Sequence, residues 1–221
     1  MTQILLVRHG ETDWNKEQRL QGHIDIALNP EGILQAALLG KVLAQEKIDV
    51  AYSSDLSRAF DTANTITQHH EIPTYVDSQL RERCYGEIQG MTYHEIEEKL
   101  PDNHRAWHSR DPDFEPKGGE TLRQFYARVT TSFHRIAQTH VGQVILIVAH
   151  GGVLDCMYRH ATQMDISEKR KVELLNTSLN RLTYDGSQFQ IQSWGDVSHL
   201  KNNTSLDEVD SGSPSVPWLL P

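Results

Sequence analysis

Two apolar runs in the sequence each end in a histidine that is followed directly by glycine. One run leads into His9 and Gly10, and the other leads into His150 and Gly151. Glycine lets the backbone approach a ligand closely, and the amides at the start of a loop or helix can donate to an anion. Two imidazoles at the ends of two strands form a chemically specific arrangement, because histidine exchanges protons near neutral pH.

Two arginines extend this pattern. Arg8 precedes His9, and Arg58 lies in the first turn of the helix that is predicted after the second strand. A guanidinium group is a rigid fork of donors that matches phosphate oxygens. Taken alone, a histidine at the end of a strand is more often structural, and Arg-His-Gly is a tripeptide that occurs by chance. Its position after an N-terminal apolar strand, with residues 11–15 following, strengthens the functional interpretation.

The elements that must position these residues alternate along the chain. Apolar runs predict strands at 4–7, 50–53, 74–76 and 144–148, and helical spacing predicts helices from 30, from 54 or 55, from 121 and at 152–160. A closing hairpin is predicted at 179–194 around Asp185 and Gly186. This alternation predicts an α/β three-layer sandwich, an open and mostly parallel sheet with helices on both faces. Ligands bind at the carboxyl ends of such strands, where His9 and His150 fall.

The chain is predicted to form a single domain over residues 1–200. Residues 80–119 have poor periodicity and many polar side chains, which predicts long loops with short helices. We expect the segment 80–120 to form a lid over the functional site. Residues 201–221 are rich in Ser, Asn, Asp and Pro and are predicted to be a C-terminal tail.

Composition excludes several classes of protein. The net charge is −9, from 21 Lys and Arg against 30 Asp and Glu, which argues against a nucleic-acid-binding module. No apolar run reaches the roughly 18 residues that a membrane span needs. The N-terminus shows no secretory signal and the two cysteines form no disulfide framework, so a cytoplasmic location is expected. An acidic chain can still bind an anion, because binding depends on the electrostatic field at the site rather than on the net charge.

No metal or other cofactor is expected. His104 and His108 have the i, i+4 spacing of one helix face, but no glutamate lies between them as in a zinc protease. Cys84 lies close to Glu82 in the sequence, although a free buried cysteine is the usual case.

Five segments together resemble the motifs of a known family. Residues 6–15 resemble the signature of the histidine phosphatase superfamily, the phosphoglycerate mutase-like proteins. Residues 53–63 resemble its second arginine segment, and residues 80–86 resemble its acid-bearing loop. Residues 118–121 and 149–152 complete the set in the order that the family shows. Five matches in one order leave chance little room.

The resemblance implies a metal-independent phosphoryl transfer. Neutral His9 would attack phosphorus and become a phosphohistidine. Arg8, Arg58 and protonated His150 would hold the phosphoryl oxygens and neutralise developing charge. Glu82 would protonate the leaving oxygen and later activate water.

Other positions match the family's phosphate- and substrate-binding residues. They are Asn15, Gln21, Gly22, Tyr85 and Gly151. Taken alone, Glu82 fits better as an ordinary loop carboxylate that pairs with Arg81 or Arg83. Its place in the order of motifs favours the catalytic role.

Departures from the family's mutases favour its phosphatase branch, in which water accepts the phosphoryl group. Mutases carry a longer insertion with an adjacent arginine pair, which residues 104–110 lack. Tyr93 stands about where a mutase lysine falls, and Gly152 replaces a mutase asparagine. Arg110 could contact an acidic substrate, like Arg105 and Lys117, but each alone is more simply a surface charge.

The expected partner is a small phosphorylated metabolite. Phosphatases of this branch act on phosphoserine, phosphoglycerate-type esters and ribazole phosphate, and the sequence does not choose among them. A cofactor-dependent phosphoglycerate mutase is the alternative. A catalytically silent protein that binds phosphorylated ligands is less favoured, because binding needs neither a nucleophile nor Glu82. The oligomeric state is open, and a dimer is possible.

Overall fold

The computed structural model describes residues 1–201 and 205–207. Within this part of the chain one sheet has the strand order β3-β2-β4-β1-β5-β6. The strands are β1 (Thr2–Arg8), β2 (Val50–Ser53), β3 (Thr74–Val76), β4 (Val144–Ala149), β5 (Leu179–Tyr184) and β6 (Phe189–Asp196). The α-helices are α1 (Asp13–Lys16), α2 (Pro30–Leu43), α3 (Ser57–Thr67), α4 (Tyr93–Lys99), α5 (Pro101–His108), α6 (Leu122–Thr139) and α7 (Gly151–Thr162).

The sheet is mostly parallel. Strands β3, β2, β4 and β1 run parallel to one another, whereas β5 is antiparallel to β1 and β6 is antiparallel to β5. Helices α2 and α3 cover one face and α6 and α7 cover the other. The predicted three-layer α/β fold and its closing hairpin are therefore confirmed.

The two central strands are apolar on both faces, as a sheet covered on both sides requires. Leu5 and Val7 of β1 pack toward α2 and α3, and the alternate residues Ile4 and Leu6 pack toward α6 and α7. Each of these side chains is almost wholly buried. Neither face can turn to solvent, so the register of β1 on β4 is strongly specified.

Two of the four predicted helices, α2 and α6, begin behind a side-chain cap. The side chain of Asn29 accepts from the amide of Gly32 ahead of α2, and Thr121 forms a capping box with Gln124 ahead of α6. Helix α3 begins at Ser57 rather than at 54 or 55. The amide of Ser54 still donates to the carbonyl of Val148, which prolongs the extended backbone after β2.

The segment 80–120 contains α4, α5 and the short 3₁₀ helix Gly86–Ile88, joined by loops. It contributes to a small apolar cluster separate from the two layers of the main core. That cluster comprises Leu20, Tyr85, Ile88, Ile96 and Trp107. Of the predicted tail, residues 205–207 lie beside the end of β1, and residues 202–204 and 208–221 lie outside the described residues. No helix of the described ranges is long and apolar enough to cross a membrane.

Candidate active site

His9 and His150 lie side by side at the carboxyl ends of β1 and β4. Arg8 is paired in register with Ala149, and the amide of His9 donates to the carbonyl of Ala149 at 2.9 Å. The two imidazole rings meet edge to face, with centroids 5.2 Å apart. His9 is 2% exposed and His150 is 0% exposed. The parallel pairing of two strands thus creates the shared site that the sequence predicts.

The hydrogen bonding of His9 defines its tautomer. Nδ1 lies 2.7 Å from the carbonyl oxygen of Gly10, which can only accept, so Nδ1 carries the proton. Burial, together with the positive charges of Arg58 and Arg8, lowers the pKa of His9 well below its ordinary value. The ring is therefore neutral near pH 7, and the lone pair lies on Nε2. A neutral imidazole with this tautomer is suited to nucleophilic attack.

The ring of His150 is buried without a hydrogen bond from either nitrogen to the described residues. Burial lowers its pKa well below the ordinary value, and the positive charge of Arg58, the neighbouring His9 and Arg8 lower it further. His150 is consequently neutral in this environment, whereas the resemblance implies a protonated ring. The difference has a physical cause, because a protonated His150 beside Arg58 and Arg8 requires an anion next to it. Each of these ring nitrogens can donate to or accept from a polar ligand.

The two arginines that are predicted to bind phosphate, Arg8 and Arg58, are fully buried and are oriented by backbone carbonyls. Arg58 donates from Nη1 to the carbonyl of Ile24 at 2.9 Å and from Nη2 to that of Gly22 at 2.8 Å. Arg8 donates from Nη1 to the carbonyls of Leu174 at 2.5 Å and Leu206 at 2.8 Å. Carbonyl acceptors orient each guanidinium group, and a guanidinium is a fork of donors that suits recognition of an anion.

Gly22 acts through its backbone. Its φ is +54°, and a Cβ at this position would lie 2.2 Å from Oε1 of Gln89. Glycine is thus required to turn this carbonyl toward Arg58. The neighbouring Gln21 is buried, and its Oε1 makes no hydrogen bond with the described residues. Gly22 therefore supports Arg58 directly, and Gln21 precedes it in the chain.

Glu82 is 4% exposed and is held by two backbone amides. Oε1 accepts from the amide of Arg83 at 2.7 Å, and Oε2 accepts from the amide of Gly152 at 2.9 Å. Arg81, one of the partners suggested for a structural role, pairs instead with Asp55 at 2.6 and 2.5 Å. The contact with Gly152, two residues after His150, brings the carboxylate to the rim where the histidines lie.

The remaining predicted residues divide between this rim and its surroundings. Gly151 is the first residue of α7, so its amide belongs to the donor end of a helix beside His150. Asn15 is buried and forms a capping box with Thr12 at the start of α1. Tyr85 packs against Trp107, with ring centroids 6.3 Å apart, and lines a cavity beside Glu82 rather than the histidine pair.

Long-range contacts of the site were missed from the sequence. Asn176 donates from Nδ2 to the carbonyl of His9 at 3.0 Å. Thr62 accepts from the amide of Gly10 at 3.1 Å and donates to the carbonyl of Arg58 at 2.8 Å. Thr62 lies in the segment that resembles the second arginine motif, which was a usable signal. No local pattern marks Asn176.

A cavity of about 30 Å³ adjoins Glu82, and Gly152 forms part of its wall. Its lining includes Arg83, Tyr85, Trp107, Arg110 and Asp155. Arg110 is buried and donates to Asp155 at 2.9 Å, and Arg159 donates to the same oxygen at 2.8 Å. Arg110 is thus not a surface charge, whereas Arg105 is exposed.

The histidines considered as metal ligands lie elsewhere. The rings of His104 and His108 stack on α5 with centroids 5.8 Å apart, and Tyr93 donates to or accepts from Nδ1 of His108 at 2.8 Å. Among residues 1–201 and 205–207, no group of three or more His, Cys, Asp or Glu side chains is arranged to hold a metal ion.

Comparison with known proteins gives the relationship. The model of the histidine phosphatase superfamily (branch 1) matches residues 4–197. "Phosphoglycerate mutase-like protein 4" of Arabidopsis thaliana is 44% identical over 216 residues, which cover 95% of this chain and 92% of that protein. "Metal-independent phosphoserine phosphatase" of the same organism is 40% identical over 205 residues, which cover 91% of this chain and 84% of that protein.

A solved structure agrees with these sequence matches. The chain is similar to Bacillus stearothermophilus YhfR, with a TM-score of 0.84 and 32% identity over 90% of this chain and 99% of that one. The family match spans nearly the whole chain, and relatives at 40% and 33% identity are named as phosphatases. The protein is a phosphomonoester hydrolase and belongs to the histidine phosphatase superfamily, branch 1.

Proposed function

We propose that the protein hydrolyses small phosphomonoesters in two steps, with Nε2 of His9 carrying the phosphoryl group between them. The observation that carries this proposal is the bond from Nδ1 of His9 to the carbonyl of Gly10, which leaves the lone pair on Nε2. Burial and two nearby arginines keep that ring neutral. The nucleophile is thus prepared before substrate binds.

In the first step Nε2 of His9 attacks phosphorus and the bond to the ester oxygen breaks. Arg8, Arg58 and His150 hold the phosphoryl oxygens, and the negative charge of the ester draws a proton onto His150. Glu82 gives a proton to the leaving oxygen. In the second step Glu82 takes a proton from water as that water attacks the phosphohistidine, which releases phosphate and restores His9.

Further predicted residues complete phosphate binding in this proposal. The amide of Gly151 donates at the start of α7, and the side chains of Asn15 and Gln21 donate as well. Gly22 orients Arg58, and Tyr85 bounds the leaving group. Residues 80–120 form a lid on the single domain 1–200, because this segment supplies both Glu82 and much of the cavity wall.

The substrate class follows from the cavity beside Glu82. Its wall carries the guanidinium groups of Arg83 and Arg110, both buried, and the carboxylates of Asp111 and Asp155. A guanidinium group can hold a carboxylate through two parallel hydrogen bonds, so Arg83 and Arg110 could contact a leaving group that bears a carboxylate. We propose phosphoserine or a similar phosphorylated acid, in keeping with relatives named phosphoserine phosphatases.

Phosphoglycerate mutase activity is the second candidate. "Probable phosphoglycerate mutase GpmB" of Salmonella choleraesuis is 33% identical over 214 residues, covering 95% of this chain and 99% of that protein. Against this, Tyr93 stands near the place of the mutase lysine and its hydroxyl contacts His108.

We also propose a cytoplasmic location, because Cys84 and Cys156 are both free thiols.

The test is to quench the reaction with phosphoserine labelled on phosphorus and to identify the labelled residue. Wild-type protein should carry an acid-labile label on His9, and His9→Ala should carry none and should not turn over. Turnover should persist in EDTA. A wild-type reaction without labelled histidine, or full activity of His9→Ala, would contradict the mechanism.

Substrate choice is tested with a panel of esters. We expect kcat/KM to be higher for phosphoserine and 3-phosphoglycerate than for phosphoethanolamine, which lacks the carboxylate. Assaying 3-phosphoglycerate with and without 2,3-bisphosphoglycerate separates the two candidates. Isomerisation much faster than phosphate release would favour the mutase.

A further inference from the structure

The two phosphate-binding arginines are supported by different parts of the chain. The carbonyls that orient Arg58 come from Gly22 and Ile24, in a segment that the family model includes. One of the two carbonyls that orient Arg8 belongs to Leu206, 198 residues away. Because the family match ends at residue 197, this support comes from outside the matched region.

Asp207 connects the two carbonyls that accept from Arg8. It follows Leu206 directly in the chain, and its Oδ1 accepts from the amide of Leu174 at 2.7 Å. The carbonyl of that same Leu174 accepts from Nη1 of Arg8 at 2.5 Å. One carboxylate therefore fixes the positions of both acceptors on the same guanidinium nitrogen.

Asp207 is itself held by a two-point ion pair. Nη1 and Nη2 of Arg170 donate to its two carboxylate oxygens at 2.7 and 2.9 Å. The side chain of Arg170 is 0% exposed and that of Asp207 is 18% exposed, so the pair is largely shielded from water. A bidentate pair in this setting fixes orientation as well as distance.

The segment Ser205–Asp207 has a second link to the site. The hydroxyl of Ser205 donates to the carbonyl of Asn176 at 2.7 Å, and the amide of Asn176 donates to the carbonyl of Leu206 at 3.0 Å. The side chain of Asn176 in turn donates to the carbonyl of His9. The segment thus contacts the backbone of Leu174 and Asn176, and those two residues in turn bond to Arg8 and His9 at the end of β1.

We propose that Asp207 is a positioning residue that aims the guanidinium of Arg8 at the substrate phosphate through the carbonyls of Leu174 and Leu206. The inference rests on the proposed function, in which Arg8 binds the phosphoryl oxygens. It adds a structural requirement beyond the matched domain: the segment Ser205–Asp207 completes the phosphate site. Asp207 touches no substrate in this account and acts only through Arg8.

The experiment compares Asp207→Asn with wild-type full-length protein. Asparagine keeps the volume but removes the charge and one acceptor oxygen, so both carbonyls lose their common support. Orthovanadate binding, measured by calorimetry, reports the phosphate site without requiring turnover. Because small misplacements of a binding group reduce activity strongly, we expect vanadate affinity and kcat/KM for phosphoserine to fall about 10- to 100-fold. Asp207→Glu, which retains the carboxylate, should recover part of the loss.

Asp113→Asn is the matched control. Asp113 forms an equally bidentate pair with Arg123, but both side chains are exposed and lie outside the site. This variant should bind vanadate like wild-type protein. If Asp207→Asn does not fold, Arg170→Lys, which keeps the cation and loses the two-point geometry, provides the same measurement. In the double variant Arg170→Lys/Asp207→Asn the two losses should not add, because both act on one pair.

The outcomes separate this inference from the function on which it rests. Wild-type protein that binds no orthovanadate would overturn both. Wild-type binding with an unchanged affinity in folded Asp207→Asn and Arg170→Lys, even at a lower unfolding temperature, would overturn the positioning role alone. Reduced vanadate affinity in both variants, with the control unaffected, would support it.

Discussion

The amide of Gly152 donates to Oε2 of Glu82 at 2.9 Å, and this bond joins the start of α7 to the loop that carries the acid. The contact is close: a Cβ on Gly152 would lie 2.2 Å from Oε1 of Glu82. Glycine at this position therefore admits the carboxylate to the site. The sequence pattern marks Gly152 only as a departure from the mutases, and the structure gives that departure a physical role.

Gly152→Ala should displace the carboxylate of Glu82, because the new methyl group and that oxygen cannot occupy the same space. A displaced acid slows proton transfer, so we expect kcat/KM for phosphoserine to fall by about 10- to 100-fold. Steady-state kinetics and the unfolding midpoint provide the measurement. The control is Gly142→Ala, where φ is +80° and no heavy atom lies within 4 Å. It should cost about 1 kcal/mol of stability and leave kcat/KM unchanged.

Glu82→Gln should reveal the proton donor through the leaving group. An alkoxide such as that of serine needs a proton as it departs, whereas p-nitrophenolate does not. We expect kcat for phosphoserine to fall by about 10²- to 10⁴-fold. The loss of kcat with p-nitrophenyl phosphate should be smaller, because only the dephosphorylation of His9 then depends on Glu82. Glu87→Gln, an exposed position on the same loop, is the control. If the rate of phosphoryl transfer to His9 fell equally with both esters, the assignment of Glu82 as proton donor would be wrong.

The imidazoles of His9 and His150 should remain neutral at mildly acidic pH. Burial and then Arg58 lower the pKa of both rings well below the ordinary value of about 6.5, so protonation begins only at lower pH. Nitrogen NMR of the labelled full-length protein should show constant chemical shifts for the ring nitrogens of His9 and His150 as pH falls from about 7.5 to about 6. Orthophosphate should raise the pKa of His150. A midpoint at or above 6.5 in the free protein would contradict this prediction.

A second histidine pair should make stability depend on pH. Nε2 of His134 and Nε2 of His160 lie 3.0 Å apart, so one ring must accept from the other. Burial lowers the pKa of both rings, and His134 adds to the effect on His160. At acidic pH the unfolded chain then binds more protons than the folded protein does. The contribution of the pair to the free energy of unfolding is therefore complete above about pH 6.5 and is lost as pH falls toward the folded pKa.

Urea unfolding at about pH 7.5 and about pH 5.5 measures this effect. His134→Phe, which places an apolar ring beside Phe189, should lose less stability on acidification than wild-type protein does. His94→Gln, at an exposed position on α4, should retain the wild-type dependence. An equal loss in wild-type protein and His134→Phe would exclude the pair as a source.

The sequence by itself determined the layers of the fold and the two histidines of the site. Apolar residues on both faces of β1 and β4 predict buried parallel strands, and parallel strands present their carboxyl ends at one rim. The position of His9 beside His150 follows from that rule. Helical spacing and the order of motifs are likewise encoded by neighbouring residues, which is why four of the helices and the family were predicted.

Only the tertiary structure decided how the predicted catalytic groups are held. Arg8 is oriented by a carbonyl 198 residues away, and Glu82 accepts from an amide 70 residues away. Arg110 resembles a surface charge in the sequence, yet it is buried against Asp155 of α7. Helix and strand periodicity report local geometry alone. Contacts between distant segments depend on which loops the packed layers bring together, and no local pattern records that.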